Sequence, residues 1–107
     1  MNKPKTIYDS DKMKKLIKLA LSDPNPEVRN KALNEIRNLD KGLDKRMSVF
    51  INGLRDPRKR SSAEMFLSAT GPLSIPYIEP LLNDPDIEVR NSAEKILRVI
   101  KQMWNDI

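Results

Sequence analysis

Two stretches of this chain read almost alike: residues 21–32 are LSDPNPEVRNKA and residues 82–93 are LNDPDIEVRNSA. A third copy, two residues shorter, lies between them as LRDPRKRSSA at residues 54–63. Aligning the copies puts Arg29, Arg60 and Arg90 in register, followed by Ala32, Ala63 and Ala93. The spacing is about 31 residues, which is the length of two helices with their turns and so the unit of a helical repeat array. A chain with three such units has little freedom to be anything else.

Each unit parses in the same way. A helix runs into Leu-x-Asp-Pro and stops, because the residue before a proline is pushed out of the helical region. The next helix opens within a few residues, with proline tolerated in its first turn. In the first unit Ser10 can cap a helix whose apolar stripe is Met13, Leu16, Ile17, Ala20 and Leu21. The second helix starts near Pro26 and carries Val28, Ala32, Leu33, Ile36 and Leu39 at helical spacing. The middle unit offers Met47, Phe50, Ile51 and Leu54, then Ala63, Phe66, Leu67 and Thr70, ending at Gly71-Pro72. The last unit offers Ile75, Ile78, Leu81 and Leu82, then Val89, Ala93, Ile96, Leu97 and Ile100, with Pro80 expected to bend its short first helix. No stretch alternates with period two, so the expected fold is all-α.

The Asp-Pro turn followed by Glu-Val-Arg-Asn-x-Ala resembles the HEAT repeat family, in particular the short HEAT-like repeats first grouped with phycobilisome lyases. The resemblance runs over roughly residues 10–104; it is weakest in the middle copy, where Lys59 replaces the valine. It implies a right-handed α-solenoid of three helical hairpins at about residues 10–40, 41–71 and 72–104. These form a single domain over 10–107 behind a flexible segment at 1–9. It also implies that the repeat arginines bond turn aspartates or carbonyls and form a ladder along the stack. Recurrence once per unit argues that Asp23, Asp56, Asp84, Arg29, Arg60 and Arg90 are structural, the aspartates accepting from unpaired N–H groups of the following helix.

Composition removes most chemistry. With 38% hydrophobic and 33% charged residues in 107, the chain is too apolar to be disordered and too polar to be membrane-embedded. The polar N-terminus has no apolar run behind its lysines, so no secretory signal and no membrane association are expected, and a cytoplasmic location is. The absence of histidine and cysteine excludes the commonest general base, the commonest metal ligand and every disulfide. The three glycines are isolated, so there is no phosphate-cradling loop, and residues 84–88 lack the glycine and ligand spacing of a calcium loop. No enzyme activity and no cofactor is expected, and nothing marks the chromophore pocket a lyase would need.

What remains is surface. Stacked hairpins expose their second helices on a concave face, where register sets Asn34, Met65 and Lys95 in one row and Arg37, Ser68 and Arg98 in another. That face is either a peptide groove or inert. The last helix continues apolar through Val99, Ile100, Met103, Trp104 and Ile107, where a terminal repeat should turn polar. Val99, Met103, Trp104 and Ile107 therefore form a candidate docking edge or homodimer surface. The net charge of +5 gathers at the front: Lys3, Lys5, Lys12, Lys14, Lys15 and Lys18 face only Asp9 and Asp11 in the first twenty residues. The expected function is a protein-interaction module or small subunit of a larger complex. The alternative is a nucleic-acid-associated accessory factor contacting phosphates through Lys12, Lys14, Lys15, Lys18, Arg55, Arg58 and Lys59.

Overall fold

A computed structural model describes residues 7–103 of the protein. Every regular element among them is helical: a 3-10 turn at Ile7–Asp9, α1 at Asp11–Ser22, α2 at Pro26–Leu39, α3 at Leu43–Leu54, α4 at Arg60–Thr70, α5 at Ile75–Ile78 between 3-10 segments Gly71–Ser74 and Glu79–Asn83, and α6 at Ile87–Met103. The chain divides into two compact units with the boundary between Leu43 and Asp44. The all-α expectation holds over the described residues.

In the first unit, α1 begins where Ser10, in extended conformation, turns its hydroxyl oxygen to accept from the Met13 amide at 3.1 Å. That bond satisfies one of the N–H groups a helix start leaves unpaired. Met13, Leu16 and Ala20, three and four residues apart, are buried, while Ile17 and Leu21 flank them half-buried. Pro26 occupies the first turn of α2, which buries Ala32 and Ile36 and packs on α1 as a helix pair. Leu39, read as the end of that stripe, is instead exposed on the last residue of the helix. Residues Ile7–Asp9, at the end of the N-terminal segment, form a 3-10 turn. The Tyr8 hydroxyl there donates to the Asp40 carboxylate just past the end of α2. Burying a phenol ring part-way with its hydroxyl satisfied gives that turn a reason to stay.

The second unit holds α3 to α6. Met47, Gly53 and Leu54 of α3 and Ala63 and Leu67 of α4 are buried. Gly53 lies against α4: an added Cβ would lie 3.1 Å from the Ala63 Cβ. Phe50 of α3 and Phe66 of α4 stack with ring centroids 5.1 Å apart and planes at 21°. Phe66 had been assigned to the core; its edge is half in solvent, and the stack is what it contributes. α4 stops at Gly71, whose φ of 79° is comfortable only without a side chain.

The next stretch departs from expectation. One short helix bent at Pro80 was anticipated; three pieces are found, with Pro72, Pro76 and Pro80 each in the first turn of its piece. Prolines every fourth residue fall near the helical repeat, so an α-helix here would lose a hydrogen bond on the same side at every turn. Short 3-10 segments are the compromise. They still bury Leu73, Ile78 and Leu81, and the buried Ser74 hydroxyl donates to the Leu67 carbonyl at 2.8 Å. α6, the longest helix, buries Val89, Ser92, Ala93, Ile96 and Ile100 and packs on α4 and on the Glu79–Asn83 segment. None of the described helices is long and apolar enough to cross a membrane.

Candidate interaction surfaces

The repeat turns decide which charged side chains are available. Each aspartate folds its carboxylate onto the amide two residues ahead: Asp23 accepts from Asn25 at 2.9 Å, Asp56 from Arg58 at 3.0 Å and Asp84 from Asp86 at 3.0 Å. These are turns closed by an aspartate side chain. This corrects the expectation that the aspartates bond the first amides of the next helix. That task falls to the residue two further on: Asn25 accepts from Glu27 and Asp86 from Glu88, both at 2.9 Å. The middle copy has Arg58 in that place, and α4 begins without a side-chain cap.

The arginines follow one rule. Arg29 donates to the Asp23 carbonyl and Arg90 to the Asp84 carbonyl, each at 2.7 Å, while Arg60 donates through Nε to the Leu54 carbonyl at 2.8 Å. Every grip reaches back six residues, so the shortened middle turn moves the contact from the aspartate to the leucine before it. A charged donor on a carbonyl at a helix end satisfies an acceptor the helix cannot.

Arg55 had been assigned to the open basic turn. Instead its guanidinium grips the Asp84 carboxylate with both nitrogens, at 3.1 and 2.7 Å, joining the middle copy to the last one. The corresponding positions carry Ser22 and Asn83, which cannot make this fork. The Arg55 hydrogen bond, helped by the Asp86 amide, holds the Asp84 carboxyl down at about 2 against an ordinary 3.8, and raises Arg55 in turn. Folding thus favours ionised Asp84. Its contribution to stability is complete above about pH 4 and is lost as pH falls from there toward 2. In an NMR titration of side-chain carboxyls, Asp84 should be the late titrator at the acid end, and Arg55→Met should return it toward the ordinary range. An Asp84 pKa unmoved by that substitution would transfer the effect to the turn amide.

The candidate concave residues separate. Asn34 and Arg37 lie on α2 in the first unit, joined by a 3.3 Å bond from Arg37 to the Asn34 side-chain oxygen. Met65, Lys95, Val99 and Met103 meet in the second unit, where α4 and α6 flank a groove of about 400 Å³. Residues assigned on sequence to two surfaces, a concave row and a C-terminal edge, thus share one. Met65 and Met103 are 63% and 65% exposed on the groove's walls; Val99 is half-buried. Arg98 is exposed but does not line it. Trp104 and Ile107 lie outside the described residues.

The groove has a polar member that the sequence reading overlooked. Glu64 keeps only 15% of its side chain exposed; it accepts from the Ser92 hydroxyl at 2.7 Å and pairs with Lys95 at 3.4 Å. Ser92, 2% exposed, sits one residue before the packing alanine of α6, and Glu64 sits one residue after that of α4. A carboxylate beside the tight-packing position of one helix, facing a serine beside that of the next, was the available signal. The trio fixes polar chemistry on one side of an otherwise apolar trough.

The lysines Lys12, Lys14, Lys15 and Lys18 are all exposed on α1, and Arg58 and Lys59 are exposed in the α3–α4 turn. Among the described residues no cluster of three acidic side chains is placed to hold a metal ion.

Residues 2–36 match the family model of the HEAT repeat associated with sister chromatid cohesion. The matched stretch includes α1 and most of α2, so the likeness to a HEAT repeat is confined to the first helix pair. The family matched is not the phycobilisome-lyase-like type that the motif had suggested. No curated protein and no solved structure matches the chain.

Proposed function

We propose that the chain is a non-catalytic protein-interaction module. Its three helix pairs, over residues 10–107, stack as a HEAT-like right-handed solenoid in an adapter or small subunit, with the cytoplasmic setting expected of it. The observation that carries the reading is the α4–α6 groove: an apolar trough walled by exposed Met65 and Met103, with Val99 between them and Lys95 at its edge. Methionine side chains are flexible and polarisable, and surfaces made of them adapt to amphipathic partner helices. The HEAT-type match over 2–36 supports the same reading, since repeats of that kind typically mediate protein interactions. A second copy meeting at this groove would give a homodimer; Trp104 and Ile107, proposed for the docking edge from the sequence, lie outside the described residues. Arg98 of α6 is a further proposed contact in the second unit, and Asn34 and Arg37 of α2 form a separate proposed contact in the first.

The nucleic-acid alternative keeps Lys12, Lys14, Lys15, Lys18, Arg58 and Lys59 but loses Arg55, whose guanidinium is committed to Asp84. We therefore place protein binding first. The test is capture by the tagged protein from its own cell lysate, with and without nuclease, beside a Met65→Glu/Met103→Glu bait. Both methionines are exposed, so the double variant should fold with nearly unchanged stability. A stoichiometric partner that survives nuclease and falls by roughly tenfold or more with the variant is the expected result. Equal capture by both baits would remove the groove from the function, and a catch lost to nuclease would favour the alternative.

A further inference from the structure

The charge arrangement on α1 is unfavourable as it stands. Lys12 and Lys15, Lys15 and Lys18, and Lys14 and Lys18 are three or four residues apart, so each pair shares a face of the helix. Like charges at those spacings destabilise a helix, and Lys12 adds a cation to the first turn, where the helix dipole disfavours one. Among the described residues none of the four lysine side chains is engaged in an ion pair or hydrogen bond. Asp11, three and four residues from Lys14 and Lys15, offsets only part of this repulsion.

The same face carries an apolar notch. Lys15, Lys18, Leu19 and Ser22 follow one another at helical spacing. With Asp23 and Pro24 of the turn they enclose a groove of about 370 Å³. Leu19 is 39% exposed on a helix whose other face already supplies the buried Met13, Leu16 and Ala20. Lysine stems lying along such a notch add hydrocarbon to its walls while their ammonium groups stay in water.

We propose that this face of α1 is a second docking surface, one that receives a short acidic segment of a partner protein with an apolar anchor. Carboxylates would answer Lys12, Lys15 and Lys18, and the anchor would cover Leu19 and Pro24. A nucleic-acid backbone could use the lysines only. It would gain nothing from the leucine and proline and would find no aromatic or guanidinium in the groove to hold a base. The surface shares no residue with the α4–α6 groove, so either can fail without the other.

The experiment is a titration of the isotope-labelled full chain, followed by amide NMR shifts, with the synthetic peptide Glu-Glu-Leu-Phe-Glu-Asp. A control peptide has serine in place of leucine and phenylalanine, and a short DNA duplex is added in a parallel series at the same salt. The expected result is shift changes centred on residues 12–24 and affinity that falls as salt rises. Binding should weaken roughly tenfold in Lys15→Glu/Lys18→Glu, and several-fold with Leu19→Ser or the serine peptide. All these side chains are exposed, and circular dichroism is used to check that each variant folds. Absence of shifts at millimolar peptide overturns the proposal. So does binding indifferent to Leu19→Ser and to the anchor, which would be diffuse attraction. Duplex binding tighter than the peptide, through the same lysines, overturns it in favour of nucleic acid.

Discussion

Ile96→Ala should lower the unfolding free energy by about 3 kcal/mol, read from urea denaturation followed by circular dichroism. Ile96 is fully buried on α6, which packs on α4 and on the Glu79–Asn83 segment. Truncation removes buried hydrocarbon and leaves a cavity that helices in close contact cannot readily fill. Domains of this size are stable by only about 5–15 kcal/mol, so the loss is a large share. Val49→Ala is the comparison: Val49 is 61% exposed on α3, and its truncation should cost no more than about 0.5 kcal/mol. Similar losses for the two variants would mean that α6 does not rest on the core as described.

Gly53→Leu should be the second severe change, costing about 3 kcal/mol or more, while Gly53→Ala should fall near zero. Two opposed effects meet at this residue. Glycine inside a helix is worse than alanine by about 0.8–1.0 kcal/mol, so adding a methyl group improves α3 in isolation. That methyl would lie 3.1 Å from the Ala63 Cβ, tight enough to push α4 by a few tenths of an ångström. The gain and the squeeze are of similar size. Leucine adds three more carbons against α4, which then has to move off α3. Both variants are read by the same urea unfolding. A stabilised Gly53→Leu would show that the two helices can part without loss.

Much of the architecture was legible because it is written three times. The Asp-Pro turns, the capping Ser10, the start of α2 at Pro26 and the stop at Gly71 follow from local rules that the sequence exposes directly. The failures have local causes too. A lone Pro80 suggests a bend, but its effect depends on Pro72 and Pro76 one and two turns earlier, and together they leave only four residues of α-helix at Ile75–Ile78. The turn aspartates were correctly expected to bond backbone, but not to which amide. Two candidate donors lie within reach of a short carboxylate, and spacing alone does not rank them.

The site was harder to read for a different reason. Register along a repeat says which residues share a row, not how deep each lies. Met65 and Met103 fell in separate groups until α4 and α6 were seen to flank one groove, and Glu64 looked like ordinary solvated charge. Arg55 shows the reverse error. In a run of four basic residues it looked the same as Arg58, yet it alone has the reach to Asp84 of the next copy. A partner twenty-nine residues away cannot be inferred from the composition of a turn.

The arginine rule also bears on how such chains change length. Arg29, Arg60 and Arg90 each hold a carbonyl six positions upstream, and the middle copy, though two residues shorter, keeps an equivalent clasp. The clasp is measured along the backbone and not by the identity of the residue held. A linker between helices can therefore lose two residues and still present its arginine with an acceptor. Deletions at these connectors would be absorbed locally, leaving the flanking helices paired, and a lineage of such proteins could trim or lengthen its turns without rebuilding its core.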